Sequence, residues 1–235
     1  MANEPVKKKS EFVKLMFHRV APRYDLLNRV ISLGQDHLWK RDVIRSLGGA
    51  LPCEDWILDL GTGTGDLAFE VLRQFPGVHV VACDLTLQMI KLGKNKRGGE
   101  KIFWVLADSA NLPFSDGVFA GVVSGYLLRN VESIEVSLKE QRRVLRSGFR
   151  IAALDTTPPR NNLTHPIKIL YLRRIIPWLG KWIAGDQSAY AYLARSTEQF
   201  LSAEGLSECF HEVGFSEVQF SRRMLGTIVI CQGKK

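Results

Sequence analysis

The chain predicts an α/β fold organised around an open, mostly parallel sheet with helices on both faces. Short apolar runs suited to buried strands recur at 57–60, 79–84, 102–106, 119–124 and 150–154. Amphipathic stretches at 66–75, 87–95 and 133–145 alternate with them, as helices covering such a sheet would. The first run also stops in alternating glycines and then turns helical, which is how a strand hands over to a helix beside a ligand.

The 235 residues suit one α/β domain on a prior of about 150 residues per domain, and 46% hydrophobic content allows a substantial core. Charged residues interrupt every long apolar stretch, so no transmembrane segment is expected. Residues 1–10 are read as a flexible polar tail with lysines but no apolar core of a secretory leader, and a cytoplasmic location is expected. Residues 11–235 then form a single domain, with a helical cap at 11–50 and a helical insertion at 160–200. Cys53, Cys83, Cys209 and Cys231 form no C-x-x-C pair, which argues against structural zinc and a disulfide framework, so no metal is expected. Against 24 acidic side chains stand 32 basic ones, and the net charge of +8 predicts attraction to polyanions, whether anionic lipid or nucleic acid.

From Phe12 to Leu47 apolar residues fall at roughly helical spacing, with Pro22 and Gly34 expected to divide the run into two or three helices. A surface cap and a lid over a cleft both fit this pattern. Next comes Leu58-Asp59-Leu60-Gly61-Thr62-Gly63-Thr64-Gly65-Asp66. Gly61, Gly63 and Gly65 permit positive φ and let a ligand approach the main chain. Asp84, ending the second apolar run with Leu85 beside it, can accept both hydroxyls of a ribose. These features describe a nucleoside-binding βαβ unit. The dinucleotide fingerprint is G-x-G-x-x-G, whereas here G-x-G-x-G leads into Asp66. A carboxylate at that helix start would repel a pyrophosphate and suit a cation, and S-adenosyl-L-methionine carries an ammonium and a sulfonium. A dinucleotide site and a turn without a ligand are the competing readings.

After the third strand, Asp108 and Ser109 are placed either to meet an adenine amino group or to sit in solvent. Beyond the fourth strand, Arg129 and Asn130 follow Gly125, at the strand end where open α/β sheets bind ligands. They suit a substrate oxygen, or equally the carbonyls of their own loop. Between about Pro166 and Gly185, basic and aromatic residues interleave on an apolar segment, as in an interfacial membrane contact or an inserted helical cap with a greasy, basic outer surface. A helix at 203–213 and strands at 217–220 and 227–231 read as a closing antiparallel hairpin.

Four stretches, MFHRVAPRYDLLNRVISLGQDHLWKR (16–41), LDLGTGTGD (58–66), ADSANLPFSDGVFAGVVSGYLLRNV (107–131) and AYAYLARSTEQF with the later EVGF (189–200, 212–215), span most of the chain. On these the sequence resembles the menaquinone and ubiquinone biosynthesis C-methyltransferases, within the class I S-adenosylmethionine-dependent fold. The resemblance implies a Rossmann-like seven-stranded sheet with the last strand antiparallel. It implies S-adenosyl-L-methionine as donor, and a polyprenyl quinol ring as acceptor, demethylmenaquinol or the ubiquinone counterpart. It maps cofactor contacts onto Thr64, Asp84, Asp108, Ser109 and Gly125, and with the turn reading the cofactor set becomes Gly61, Thr62, Gly63, Thr64, Gly65, Asp84, Leu85, Asp108, Ser109 and Gly125. Arg129 and Asn130 are the expected catalytic pair, steadying a developing oxyanion. The sequence departs from the family pattern at Ala120, Gly125, Phe149 and the Asp108-Ser109 pair. Expected partners are the quinol and an anionic membrane contacted peripherally at its inner face, with room for a homodimer and no nucleic acid. Alternatives are an RNA or other small-molecule methyltransferase of the same fold, or a binding protein without catalysis; no Pro-Cys or N/D-P-P-Y/F signature supports the first.

Overall fold

Seven strands pair in the order β3-β2-β1-β4-β5-β7-β6 in a computed structural model that describes residues 4–49, 51–184 and 186–235. The strands are β1 (Trp56–Leu60), β2 (His79–Asp84), β3 (Ile102–Leu106), β4 (Phe119–Gly125), β5 (Leu145–Thr156), β6 (Ser216–Arg223) and β7 (Ile228–Lys234). The pairs from β3 through β5 are parallel, and β7 runs antiparallel to both β5 and β6. The closing hairpin therefore folds back, so that its last strand lies inside the sheet and β6 takes the edge.

Strand side chains alternate between faces, and the two faces feed two cores. Leu58, Val122, Ile151 and Val229 pack with Leu138 of α6 (Ile134–Val144) and with Leu206 and Phe210 of α10 (Ala203–Val213). Their neighbours Ile57, Val123, Ala152 and Ile230 pack on the other side with Trp39, Val43 and Ile44 of α3 (Asp36–Arg45) and Leu67 and Val71 of α4 (Asp66–Gln74), and α5 (Leu87–Lys94) follows β2. Each such side chain contributes about 1.5–3 kcal/mol when fully buried. A parallel sheet covered twice is what the near-continuous apolar runs required.

The N-terminal segment corrects one expectation. Helix α1 spans Glu4–Val20, so most of the stretch read as a flexible tail is helical, while residues 1–3 lie outside the described residues. Pro22 sits in a 3-10 turn, Ala21–Arg23, and Gly34, at φ 74°, follows α2 (Tyr24–Ile31). The 160–200 region holds α7 (His165–Leu170), a π-helical turn (Tyr171–Ile175), α8 (Ile176–Ala184) and α9 (Gln187–Gln199). Met16, Val20 and Leu27 of the cap meet Leu172, Ile176 and Tyr190 there, so cap and insertion form a third small core of their own. At Gly180 a Cβ would fall 2.3 Å from the Tyr190 ring, which explains the glycine. Gly185, where the basic apolar segment was expected to end, lies outside the described residues.

Candidate functional site

Between β1 and β4 the strand order reverses, and the carboxyl ends of β1, β2 and β4 open on one crevice there. Leaving β1, the chain must turn sharply into α4. It does so through Gly61 (φ 67°), Gly63 (φ 57°) and Gly65 (φ 89°), backbone angles that disfavour a side chain. Added methyls would also collide, at 2.8 Å from Leu127 Cδ1 for Gly61 and 2.5 Å from Trp104 Cη2 for Gly65. The Gly63 N–H donates to Asp84 Oδ2 at 2.8 Å and the Thr86 N–H to Asp84 Oδ1 at 2.7 Å. Burial pushes the Asp84 carboxyl up from its ordinary value, and these backbone donors oppose that shift.

A cavity of about 430 Å³ lies on this crevice, within the range of small-molecule sites. Gly61, Gly63, Asp84, Leu85, Asp108, Ser109, Gly125 and Asn130 line it, joined by Tyr24 and by the apolar Val13, Phe17, Leu127, Val131 and Val136. Thr62, Thr64 and Gly65 do not line it. Thr62 and Thr64 border a smaller cavity behind the turn, shared with Tyr24, Lys40, Asp59, Gly61, Gly63 and Gly125. Gly65 braces the turn against Trp104.

Sequence reasoning passed over Asp59. It is fully buried, and its Oδ2 accepts from the Thr62 hydroxyl at 2.5 Å and the Ala68 N–H at 3.0 Å, while Oδ1 has no partner among the described residues. Burial lifts its pKa to about 7. The signal was present: an acid inside an apolar strand run needs a reason to be there. An unpartnered carboxylate oxygen behind the turn suits a ligand cation, and the Asp84 carboxylate on the other side suits ribose hydroxyls. The residues present therefore fit S-adenosyl-L-methionine, with Asp59 toward its ammonium and Asp84 toward its ribose.

Asp66 does not play the part its position suggested. Lys40 lies 2.6 Å from one of its oxygens and Lys96 2.9 Å from the other. Burial would raise its carboxyl, but the two ammonium groups outweigh that and hold it down to about 2. Its charge is thus spent within the protein, and the chemical preference for a cation rests on Asp59 instead. Thr64 joins the same network, donating to Asp25 Oδ1 at 2.7 Å and accepting from Lys96 at 2.8 Å.

The structure divides the expected catalytic pair. Asn130 reaches the large cavity, its amide donating to the Tyr126 carbonyl at 2.8 Å and its oxygen accepting from the Tyr192 hydroxyl at 3.3 Å. Arg129 is buried behind it, its backbone N–H and Nη1 both on Asp155, its guanidinium 4.9 Å from the Tyr126 ring centroid. Burial works against its charge, but Asp155 outweighs this and raises its pKa above the ordinary arginine value. Arg129 borders a small adjoining cavity together with Tyr24 and Asn130, and its Nε has no hydrogen-bond partner among the described residues. Asp155 was also missed, although it too is an acid within an apolar strand run.

A reversed-order parallel sheet, a glycine turn and an acid on either side of it fit an S-adenosylmethionine-dependent methyltransferase. Residues 5–235 match the model of the ubiE/COQ5 methyltransferase family, and the chain belongs to that family. It is 44% identical over 232 residues to the ubiquinone/menaquinone biosynthesis C-methyltransferase UbiE of Desulfotalea psychrophila, covering 99% of this chain and 94% of that one. It is 35% identical over 231 residues to the demethylmenaquinone methyltransferase of Roseiflexus sp. (strain RS-1), covering 98% and 96%. Among solved structures, an S-adenosylmethionine-dependent methyltransferase from Thermotoga maritima shares the fold, with TM-score 0.67, 17% identity and coverage of 94% and 98%.

The departures at Ala120 and Phe149 sit away from this crevice. Ala120 lies near the start of β4 in the core, and Phe149 stacks under Arg146 while Gly148 takes the left-handed turn at φ 85°.

Proposed function

We propose that the chain methylates a ring carbon of a polyprenyl quinol, with demethylmenaquinol as acceptor. The observation that carries this is the joining of the apolar cavity wall to the glycine turn, with Asn130 at their meeting point and Arg129 behind it. Relatives named for demethylmenaquinone and for ubiquinone/menaquinone biosynthesis support the acceptor class. S-adenosyl-L-methionine, when bound, supplies an electrophilic methyl group on sulfur. Attack by a ring carbon needs an electron-rich ring, hence the reduced, ionising quinol. A phenol has a pKa of about 10, so phenolate at neutral pH costs about 4 kcal/mol. One donor aimed at a developing oxyanion is worth roughly 2.7–4 kcal/mol, which the Asn130 amide in the cavity can supply, with the positive charge of Arg129 behind it adding to the field. Arg129 stays charged and is not a base. Val13, Phe17, Leu127, Val131 and Val136 exclude water and accept the ring and the first isoprene unit.

A prenyl tail leaves lipid at about 0.8 kcal/mol per methylene, so the enzyme meets its acceptor at the membrane. A peripheral position on the anionic inner face, from the cytoplasm, follows from that reading, and a homodimer is compatible with it. Among the described residues no helix is long and apolar enough to cross a bilayer.

The test is labelled S-adenosylmethionine with short-tailed demethylmenaquinol beside its benzoquinol counterpart. Label on the naphthoquinol ring is expected. Label on RNA with neither quinol touched, or cofactor binding without any transfer, overturns the assignment.

A further inference from the structure

The insertion has an inner face that folding explains and an outer face that it does not. Inward, Leu172 and Ile176 pack against the cap, and Gly180 lets α8 approach α9 closely. Outward, Ile167 and Leu170 of α7, Arg174 of the π-helical turn and Trp178 and Trp182 of α8 follow one another at three- to four-residue steps, the spacing that keeps helical side chains near one side, and Leu163 stands just before α7. All are exposed, Ile167 by 70% and Trp182 by 71%, and the two tryptophan rings lie 6.0 Å apart.

Two turns from distant parts of the chain are fastened beside this ridge. Lys168 Nζ donates to the Leu225 carbonyl at 3.2 Å, and the Tyr171 hydroxyl donates to the Ile31 carbonyl at 2.6 Å. They tie the β6–β7 turn and the end of α2 to the insertion. Leu225 and Leu33, at those two places, are 71% and 72% exposed and have φ of 55° and 53°. A leucine is disfavoured in the left-handed region, and a leucine held there in water gains nothing from burial in this chain.

Between Asp155 and Asp186 the sequence has no carboxylate side chain. Arg173 pairs with Glu198, while Arg174 and Lys181 stand exposed along the ridge. We propose that this ridge, with Leu225 and Leu33 at its flanks, docks the enzyme on the headgroup–acyl boundary of an anionic bilayer. The proposal rests on the lipid acceptor argued above. Exposed tryptophans and leucines beside cations, with no acid in the segment that carries them, match an interface that is apolar below and negative above. A two-fold contact between copies of the chain would instead set the same basic stripe against itself. The ridge is also one helical layer from the chemistry: Met16 and Val20 of α1 pack toward Leu172 and Ile176, while Val13 and Phe17 of the same helix line the large cavity.

The experiment is co-sedimentation of the full chain with phosphatidylcholine vesicles, with and without phosphatidylglycerol. Partitioning should be strong only with the anionic lipid and should fall about fivefold for Lys181→Gln. Trp178→Ser/Trp182→Ser should lose on the order of tenfold or more, and Leu225→Ser a smaller amount in the same direction. Because these side chains are exposed, an unchanged thermal shift with S-adenosylhomocysteine confirms that the variants fold. Full vesicle binding by the double tryptophan variant overturns the proposal, as does equal binding to neutral vesicles. So does self-association, by light scattering, that the same variant abolishes while vesicles never bind. Methyl transfer to a soluble short-tailed quinol should stay at the wild-type rate in all variants, while transfer to a long-tailed quinol in vesicles falls. Wild-type binding through the ridge with no quinol methylated at all would sink the proposed acceptor and leave the docking face standing.

Discussion

The cleft has two walls built by different means. On the sheet wall, Asp84 ends a parallel strand, Gly61 and Gly63 leave β1 and Asp108 follows β3; the Gly61 N–H donates to the Cys83 carbonyl, and backbone N–H groups donate to the Asp84 and Asp108 carboxylates. On the cap wall, Asp25 and Lys40 are held by side-chain ion pairs to Lys96 and Asp66. Backbone ladders fix position to a fraction of an ångström and do not depend on salt. The Lys96–Asp25 pair is partly exposed, and such pairs are worth about 0–1 kcal/mol and are screened by salt, whereas Lys40 is largely buried. We expect the cap wall, at its partly exposed Lys96–Asp25 pair, to give before the sheet wall when a ligand enters.

The comparison breaks first at Arg129, which belongs to neither wall but to a buried pair with Asp155. Arg129→Ala should cut kcat by about two orders of magnitude while cofactor affinity measured by calorimetry stays nearly unchanged. It should also cost about 3–5 kcal/mol of stability, because buried Asp155 loses the guanidinium that balances it and keeps only its backbone donors. The double variant Arg129→Met/Asp155→Leu separates the two effects: stability should return and turnover should not. Restored turnover would remove the arginine from the chemistry. Next in size is Asp84→Ala, which takes a positioned acceptor from the sheet wall. The cofactor Kd should rise on the order of 10–100-fold with kcat at saturation little changed. A loss confined to kcat would mean that the ribose lies elsewhere.

Much of the sheet wall was legible in the sequence because its causes are local. The glycine spacing dictates the turn, the second apolar run ends at Asp84, and the strand periods give both cores. Asp84, Leu85, Asp108, Ser109 and Gly125 accordingly share one cavity. Asp66 was misread for the opposite reason. Its partners Lys40 and Lys96 are 26 and 30 residues away, and nothing in the neighbouring letters announces them. Arg129 and Asn130 are adjacent in sequence yet face different spaces, because Asp155, 26 residues on, pulls the guanidinium behind the loop. Asp59 and Asp155 could have been picked out as lone acids in apolar strands. The helical N-terminal segment could not, since Glu4–Val20 docks partly through Lys9, which donates to the Val131 carbonyl 122 residues away.

Asp59 sharpens the sheet wall through pH. Its folded pKa is about 7, against an ordinary value near 3.9 in the unfolded chain. The folded state holds this proton more tightly, so the penalty of burying the ionised form is absent below about pH 4, grows as pH rises through about 7, and is full above that. Asp59→Asn should therefore stabilise the chain at pH 8, on the order of 1–3 kcal/mol, and change little at pH 4. A cationic ligand favours the ionised carboxylate, so cofactor binding near pH 6 should release a proton in the wild type and none in the variant. Calorimetry in two buffers of different ionisation enthalpy reads this directly. Equal heats in both buffers for the wild type would mean that Asp59 does not meet the ammonium.

The smallest effect is predicted at the cap wall. Lys96 touches Asp25, Thr64 and Asp66, and the side chains of Lys96, Asp25 and Asp66 are each about a third exposed, at 32%, 39% and 34%. Lys96→Met should cost no more than about 1 kcal/mol, a Tm shift of roughly 2–4 °C that shrinks further in high salt. Lys40 still neutralises Asp66 in this variant, so the glycine turn keeps its shape. What changes is the tether between Thr64 and the cap. Stopped-flow binding should show cofactor association and dissociation both accelerated, with Kd within about threefold of wild type, because a loosened wall lowers the barrier without altering the bound contacts. A large rise in Kd with unchanged association would show instead that Lys96 holds the ligand itself, and the cap wall would then be as preformed as the sheet.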